Sequence, residues 1–225
     1  TKDGVTEVRS RLVAMEFNVF ARDDVNASTP PLAVIRAIVS LAASKPGVRF
    51  LAVYDISVAF FHAVIDEDIT VMPPRGTSRQ GYVWILLKAM YGIRRAAQIW
   101  QEHLATMFRN GNWVRLQNIA GAFYEPNLDV TVAIHGDDFL GEGTEDSLNV
   151  LDQLLLASMD VKVMPRIGPD AASSGRYLKR VIRWIGSGFT WEVDPKHVGR
   201  VVELLDLGDA KPDDTLGTKS IGLGM

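Results

Sequence analysis

The stretch 130–141 limits the folds open to this chain more than any other part of the sequence. Two apolar runs, Val130–Ile134 and Phe139–Gly141, flank the polar tetrapeptide His135-Gly136-Asp137-Asp138. Apolar segments on either side of a short turn with glycine predict two antiparallel strands joined by a tight hairpin, because glycine adopts the backbone angles required at the tip. The pattern therefore places two aspartates at the end of a buried hairpin.

A second apolar run, Phe50–Ile56, has a single charge, Asp55, close to its end, and predicts a strand buried on both faces. A strand end and a hairpin tip of one sheet can meet, which would bring Asp55, Asp137 and Asp138 together. Such carboxylates repel one another and become partly protonated unless a cation joins them. Oxygen ligands without His or Cys favour magnesium or manganese, and two such ions about 4 Å apart support phosphoryl transfer.

Adjacent side chains on an extended segment point in opposite directions. We therefore expect Asp137 to share the face of Asp55 more fully and Asp138 to be the weaker ligand. The alternative is that the Asp137-Asp138 pair belongs to an ordinary turn and that Asp55 caps the segment after its strand.

The remaining pattern predicts an α+β fold with a mostly antiparallel sheet packed on helices. Alternation predicts a first strand over Val8–Val13 and a late hairpin formed by Tyr177–Ile185 and Phe189–Val193. Capping residues and apolar spacing predict four helices, at 28–43, 96–109, 144–157 and 194–208. The tail after Ala210 is rich in Asp, Gly and Thr and is expected to fray.

Composition excludes several classes of protein. Apolar residues make up 47% and charged residues 23% of the 225 residues, which is typical of a globular chain. The absence of cysteine excludes thiol nucleophiles and cysteine-ligated metals. Residues 1–115 carry a net charge of +4 and residues 116–225 a net charge of −7, so charge alone does not indicate a polynucleotide partner. Phosphate-loop, dinucleotide and zinc-protease motifs are absent, and Asp66-Glu67-Asp68 is interpreted as a solvated turn.

Several blocks in order resemble the reverse transcriptase of copia-type retrotransposons, almost from end to end. Arg9–Ala14 is similar to the K-A-R-L-V-A block of that family, and Asp55–Phe61 to its D-V-x-x-A-F-L motif. Val71–Gly76 and Leu87–Trp100 are similar to its Y-M-x-Q-P-x-G and L-x-K-S-L-Y-G-L-K-Q-A-P-R-x-W blocks. His135–Asp138 stands in the place of Y-V-D-D, with histidine for tyrosine and glycine for valine, a departure that affects contacts with the primer terminus.

The resemblance implies roles for individual residues. Asp55, Asp137 and Asp138 would be catalytic and would hold two Mg²⁺ ions, with Mn²⁺ as the alternative, and the carbonyl group of Ile56 would be a further ligand. Phe60 would lie under the sugar of the incoming nucleotide and exclude a 2′-hydroxyl. The other residues implied in nucleotide binding are Arg9, Arg11, Tyr91, Gly92 and Gln98. The residues implied in nucleic-acid binding are Arg94, Arg95 and His135. Trp100 and Trp113 are expected in the core, and Lys162 and Arg166 are weak candidates for a general acid.

The implied architecture is a fingers–palm polymerase core. Residues 1–50 would be partial fingers, 51–193 the palm with a fingers insertion at about 62–96, and 194–225 a C-terminal helix and tail leading to a missing thumb. We expect a piece of a longer polyprotein, with a primed RNA or DNA template, deoxynucleotides and the RNase H and integrase segments as partners, and no membrane. The compartment is left open between a cytoplasmic particle and the nucleus. The alternatives are an RNA-dependent RNA polymerase and an inactive transposon remnant that only binds nucleic acid.

Overall fold

The structure is a computed structural model and describes residues 10–17, 25, 27, 29–77, 81–119, 121–193 and 195–210. The predictions for Val8, Arg9 and the tail after residue 210 lie outside the described residues. Within those residues, no helix is both long enough and apolar enough to cross a membrane.

The described residues form four α-helices and eleven strands. The helices are α1 (Leu32–Ser44), α2 (Ala96–Asn110), α3 (Glu145–Ser158) and α4 (Pro195–Leu204). The first seven strands are β1 (Phe50–Ile56), β2 (Thr70–Val71), β3 (Trp84–Ile85), β4 (Val114–Arg115), β5 (Ala122–Glu125), β6 (Val130–His135) and β7 (Asp138–Gly143). The last four are β8 (Val161–Val163), β9 (Ser174–Tyr177), β10 (Arg180–Trp184) and β11 (Phe189–Val193). One 3-10 helix, Ala59–His62, follows β1.

The central sheet has six strands in the order β4-β5-β6-β7-β1-β8. Every neighbouring pair in it is antiparallel. Strands β9, β10 and β11 form a second antiparallel sheet, and β2 pairs with β3. The predicted α+β class with a mostly antiparallel sheet is confirmed.

Strand β1 is buried on both faces, as its apolar run predicts, because helices pack on each face of the sheet. Ala52, Tyr54 and Ile56 belong to the core under α2 and α3. Leu51 and Val53 belong to a second core under α1, which also includes residues of β9 and β10. Since the side chains alternate, Asp55 lies on the same face as Leu51 and Val53, but at the end of the strand, where it is exposed.

A buried charge cluster ties the start of β1 to the far end of the hairpin. Glu142 of β7 has a fully buried side chain and accepts hydrogen bonds from Arg49 Nε at 2.9 Å and Nη2 at 2.7 Å. Arg49 also binds Asp129, and Lys45 bridges Asp129 and Glu142 at 2.6 and 3.0 Å. Glu142 can be buried because each of its carboxylate oxygens has a cationic partner.

Some predicted boundaries were wrong. The first helix begins at Leu32 rather than at residue 28, because Thr29 and Pro30 each precede a proline and are therefore biased to extended backbone. Residues 10–13 are not part of a strand, and the segment instead binds a loop through Ala14 N–H, which donates to the Tyr91 carbonyl oxygen at 2.7 Å. The last helix ends at Leu204, four residues before Gly208. Thr144 caps α3 as predicted, since its hydroxyl accepts from the Ser147 N–H.

Candidate active site

The hairpin of β6 and β7 carries two of the three predicted carboxylates. His135 pairs with Asp138, so Gly136 and Asp137 form a two-residue turn. Gly136 has a φ of +68°, whereas Asp137 does not have a positive φ, which is the pattern of a type II′ turn. The predicted role of glycine at this tip is confirmed.

The strand register determines which carboxylates share a face. Asp55 of β1 is directly opposite Asp138 of β7, and Asp138 is directly opposite His135 of β6. On its other side Asp55 is opposite Lys162 of β8. Directly opposed residues point to the same face of a sheet, so these four side chains form one row across four strands.

The register places Asp138 on the face of Asp55, and the expectation that Asp137 shares this face more fully stays a prediction, because Asp137 lies in the turn, outside the paired strand residues. Asp137 is in the turn, and its carbonyl oxygen accepts a hydrogen bond of 2.9 Å from the Ile56 N–H. Strand alternation assigns no face to Asp137, since it is a turn residue, but its charge acts on Asp138. Asp138 is half-buried, whereas Asp55 and Asp137 are exposed.

The three carboxylates act on one another electrostatically. Burial raises the pKa of Asp138 above its usual value, and the charges of Asp137 and Asp55 raise it further, while His135 lowers it. Within the described residues, however, no group of three or more His, Cys, Asp or Glu side chains is gathered closely enough to hold a metal ion. The charges of the carboxylates interact, but their oxygens do not form a coordination sphere in this arrangement.

The residues nevertheless fit a divalent cation. The Cβ atoms of directly opposed residues in an antiparallel sheet are about 4.5–5.5 Å apart, so the carboxylates of Asp55 and Asp138 can reach the same ion by side-chain rotation. Burial is the main cause of the raised pKa of Asp138, and the charges of Asp137 and Asp55 add a repulsion that a cation would relieve. An all-oxygen donor set suits a hard ion such as Mg²⁺.

An aromatic cluster lies beside the carboxylates. The Tyr91 ring contacts the Phe60 ring at a centroid distance of 4.6 Å and the Phe61 ring edge-on at 6.1 Å. The Arg11 guanidinium lies 4.6 Å from the centroid of the Tyr91 ring. Burial raises the pKa of Tyr91, and the charges of Asp137 and, more weakly, Asp55 raise it further. Three predicted nucleotide-binding residues, Arg11, Phe60 and Tyr91, therefore lie next to one another.

Gly92 allows a close backbone approach, as predicted, but the approaching group belongs to this chain. A Cβ atom at Gly92 would overlap the carbonyl oxygen of Ala14, and the φ of Gly92 is +91°. Glu16 reinforces this contact, because its carboxylate accepts from the Arg94 N–H at 2.7 Å. Gly92 and Arg94 thus dock the N-terminal segment against the aromatic cluster.

Arg95 and Gln98 are already engaged by acidic residues. Arg95 makes two hydrogen bonds to the Asp66 carboxylate, at 2.8 and 3.0 Å, and approaches Glu67 at 3.2 Å. Asp66 and Asp68 are exposed, in keeping with the interpretation of this segment as a solvated turn, and Asp66 and Glu67 in addition pair with Arg95. Gln98 donates from Nε2 to Glu102 at 3.0 Å, and its buried Oε1 has no hydrogen-bond partner among the described atoms.

The two candidates for a general acid are separated by the structure. Lys162 is exposed and lies next to Asp55 in the row described above. Arg166 binds Asp152 at 2.7 Å, and Asp152 also accepts from the Tyr54 hydroxyl, whose side chain lies under α2 and α3. Since Tyr54 is on the opposite face from Asp55, Arg166 does not belong to the carboxylate row.

Two side chains that support the hairpin were not predicted as site residues. Trp100 of α2 is buried, as expected of a core residue, and its Nε1 also donates to the Gly136 carbonyl oxygen at 2.9 Å. Tyr177 of β9 is buried, and its hydroxyl lies 3.5 Å from the Asp138 carbonyl oxygen. Neither contact has a local sequence signal, because each joins residues far apart in the chain. Trp113 is a buried core residue, as predicted.

Comparison with known proteins identifies similar sequences over most of the chain. The family model described as reverse transcriptase (RNA-dependent DNA polymerase) matches residues 1–214. A retrovirus-related Pol polyprotein from transposon TNT 1-94 of Nicotiana tabacum is 25% identical over 95% of this chain and 16% of its own length. A putative transposon Ty5-1 protein of Saccharomyces cerevisiae is 30% identical over 38% of this chain and 30% of its own length. This chain therefore spans less than a third of either relative.

Among solved structures, an apo telomerase from Candida tropicalis, truncated from the C-terminal domain, is similar with a TM-score of 0.46 and 10% identity. The similarity covers 74% of this chain and 41% of that chain.

Proposed function

We infer the function from the premise that this chain belongs to the reverse transcriptase (RNA-dependent DNA polymerase) family, whose model matches residues 1–214. The resemblance to the copia-type retrotransposon enzymes is confirmed by the transposon relatives of tobacco and yeast. We propose that the chain is an RNA-directed DNA polymerase core that extends a primer 3′-hydroxyl with deoxynucleotides paired to an RNA or DNA template.

The observation that carries this proposal is the opposition of Asp55 and Asp138 across β1 and β7. Asp137 is next to them in the turn, within electrostatic range of Asp138. Enzymes of this family use divalent metal ions, and we propose Mg²⁺, with Mn²⁺ as a substitute, held by Asp55, Asp137 and Asp138. The Ile56 carbonyl group is proposed as an additional ligand. Two bound ions would stabilise the attacking and leaving oxygens of an in-line displacement at the α-phosphate.

The protein's own contribution is to position these carboxylates and the nucleotide. The β1–β7 ladder sets the spacing of Asp55 and Asp138, and the turn presents Asp137 beside them. Arg11 is proposed to bind the triphosphate, because a guanidinium group matches phosphate oxygens in charge and geometry. Phe60 packs on the Tyr91 ring and is proposed to occupy the space that a 2′-hydroxyl would need.

The sugar selectivity of Phe60 has a matched control in its neighbour. Phe60→Ala is expected to raise ribonucleotide incorporation relative to deoxynucleotide incorporation, because it opens space under the sugar. Phe61→Ala should leave that ratio unchanged, since Phe61 is exposed and contacts only the edge of the Tyr91 cluster. If the ratio of ribonucleotide to deoxynucleotide incorporation stays the same in both variants, Phe60 does not exclude the 2′-hydroxyl.

We propose that the chain is divided into partial fingers, a palm and a C-terminal helix with its tail. Residues 1–50 would be partial fingers, residues 51–193 the palm with the insertion at about 62–96, and residues 194–225 a C-terminal helix and tail. The separate pairing of β2 with β3 inside 62–96 supports treating that insertion as a distinct unit. The RNase H and integrase segments of a Pol polyprotein are proposed partners, and His135, Arg94 and Arg95 are proposed to lie along the nucleic acid.

Primer extension on an RNA template tests the proposal. The wild-type chain is expected to extend a DNA primer with Mg²⁺ or Mn²⁺, and Asp137→Asn and Asp55→Asn are each expected to lose at least about a hundredfold in rate. Asp170→Asn is the control, because Asp170 is exposed in a distant turn and asparagine tolerates its φ of +53°. An inactive wild type with both metals, or an active Asp137→Asn variant, would refute the proposal.

A further inference from the structure

Trp100 connects helix α2 to the turn that carries Asp137. Its indole Nε1–H donates to the carbonyl oxygen of Gly136 at 2.9 Å. Gly136 and Asp137 are the two central residues of the turn, so this carbonyl belongs to the peptide unit that joins them. The hydrogen bond therefore acts on the one peptide group whose orientation sets the type of the turn.

The orientation of that peptide decides where Asp137 points. A two-residue hairpin turn can be type I′ or type II′, and only type I′ needs a positive φ at the second central residue. The two types differ by reversal of the central peptide, which reverses the direction of the Gly136 carbonyl group. Asp137 does not have a positive φ here, and the Gly136 carbonyl group faces Trp100. Reversal would break this hydrogen bond and would rotate the backbone of Asp137.

Glycine at position 136 permits both types of turn, and the Trp100 hydrogen bond adds to the preference of the turn itself. Both types place Gly136 at positive φ, and the order Gly-Asp itself favours type II′, because type I′ would also need a positive φ at Asp137. Apart from the two neighbouring residues in the chain, no atom of the described residues lies within 4 Å of the place where a Gly136 Cβ would be, so packing does not restrain the turn there. A cavity of about 160 Å³, lined partly by Trp100 and Gly136, leaves additional room beneath the hairpin.

The indole ring is itself held rigidly. Trp100 is 2% exposed, and its ring stacks on His103, one turn later in α2, at a centroid distance of 5.7 Å. The centroid of the His62 ring lies 6.4 Å from that of the Trp100 ring, and His62 Nε2 is 3.0 Å from the carbonyl oxygen of Ser57. Ser57 comes two residues after Asp55, so His62 connects the surroundings of Trp100 to the segment that bears Asp55, while Trp100 itself bonds the turn that bears Asp137.

We propose that Trp100 is a positioning residue that holds the Gly136–Asp137 peptide in one orientation and so places the Asp137 carboxylate for cation binding. The part of this statement that concerns the cation rests on the function proposed above. The part that concerns the turn rests on the hydrogen bond alone and can be tested without any metal.

Two phenylalanine variants separate the N–H group from the bulk of the ring. Trp100→Phe keeps an aromatic ring in the core and removes the donor. Trp113→Phe is the matched control, because Trp113 is also buried and packs edge-on with Phe108 at 5.2 Å, at the other end of α2. If Trp100→Phe does not fold, replacement of Trp100 by 3-benzothienylalanine preserves the two fused rings and removes only the N–H.

The first measurement is hydrogen exchange at the Ile56 amide, whose acceptor is the Asp137 carbonyl oxygen at 2.9 Å. Loss of the Trp100 donor is expected to speed this exchange about tenfold, the effect of one lost hydrogen bond, while Trp113→Phe leaves it unchanged. The second measurement is Mn²⁺ titration followed by electron paramagnetic resonance. The affinity for Mn²⁺ is expected to fall about tenfold in Trp100→Phe, as when a partner of a metal ligand is removed, and to stay at the wild-type value in Trp113→Phe.

The outcomes are distinguishable. Ile56 exchange at the wild-type rate, or Mn²⁺ affinity at the wild-type value, in a folded Trp100→Phe variant would overturn the proposal. Equal changes in Trp113→Phe would also overturn it, because the effect would then be a general loss of packing. A wild-type chain that binds no Mn²⁺ would refute the proposed metal role of the carboxylates, and the exchange rate of Ile56 would then decide the role of Trp100 in the turn.

Discussion

Replacing Asp138 by asparagine should stabilise the protein in metal-free buffer although it removes a proposed metal ligand. Asp138 is directly opposite Asp55 and next to Asp137, and the charges of both residues raise its pKa in addition to burial. Like charges directly opposite one another in a sheet cost about 0.2–1 kcal/mol. Asparagine keeps the shape of the side chain and removes its charge, so this repulsion disappears.

The expected gain can be bounded from the geometry. Two unit charges 5 Å apart interact with about 0.8 kcal/mol in water and about 3 kcal/mol at an effective dielectric constant of 20. Because Asp55 and Asp137 are exposed and Asp138 is half-buried, the gain should lie near the lower figure, at about 1 kcal/mol. For a chain of this size that corresponds to a rise in Tm of about 2–4 °C.

The pH dependence of the gain has a definite sign. A carboxyl group with a raised pKa in the folded state stabilises the protein when protonated, and this contribution is lost as the pH rises through that pKa. The advantage of Asp138→Asn should therefore be greatest at neutral pH and should shrink as the pH falls through the folded-state pKa of Asp138. Mg²⁺ should make the wild type more stable than Asp138→Asn, because an ion that binds the folded state raises the Tm of the wild type more than that of the variant.

Thermal unfolding followed by circular dichroism, with EDTA and then with Mg²⁺, checks this prediction. Asp170→Asn serves again as the control and should change neither the Tm in EDTA nor the response to Mg²⁺. A lower Tm for Asp138→Asn in EDTA at neutral pH would refute the inference that these carboxylates repel one another. An equal response of both proteins to Mg²⁺ would show that Asp138 is not a ligand.

Three further predictions concern the surroundings of the site, and each is checked by the free energy of unfolding in urea. Arg49→Met should cost about 3–5 kcal/mol because it leaves the buried Glu142 carboxylate short of cationic partners, and adding Glu142→Leu should recover most of the loss. Gly92→Ala should lower the free energy of unfolding clearly more than Gly81→Ala. Both glycines have a strongly positive φ, where alanine costs about 1–2 kcal/mol, but only at Gly92 would the added Cβ also overlap another residue. Gly136→Ala should cost about 1–2 kcal/mol through its φ of +68° alone, since its surroundings are open.

Elements with a strong local pattern were predicted well from the sequence. The strand Phe50–Ile56, the hairpin at Gly136 and the helix after Thr144 were all formed as expected. Each has a cause that acts within a few residues, such as an unbroken apolar run, a glycine at a turn or a hydroxyl cap. The segment at Ser10–Val13 alternates like a strand but joins no sheet. Ala14 and Glu16, just after it, bind the Tyr91–Gly92 loop, and this contact has no local signal.

The partners of charged residues were harder to predict, because they depend on long-range contacts. Arg95 was expected to contact phosphate, and its guanidinium binds Asp66, which is 29 residues earlier in the chain. Arg166 was a candidate for a general acid, and it binds Asp152 on the far side of the sheet. Composition and spacing identify basic residues able to bind an anion. They do not show that an acidic side chain of the same protein is already bound to such a residue.

The predicted set of carboxylates depends on one further quantity that spacing alone does not supply, the length of the turn. Because side chains alternate along a strand, a shift of one residue in register would exchange the faces of Asp137 and Asp138. A two-residue turn pairs His135 with Asp138 and leaves Asp137 in the turn, and the separate register of β7 against β1 puts Asp138 opposite Asp55. The sequence predicts the hairpin but is compatible with more than one turn length. The orientation of Asp137 consequently depends on the turn peptide itself, and the contact between Trp100 and Gly136 is the place where a core residue can control the geometry of the carboxylate site.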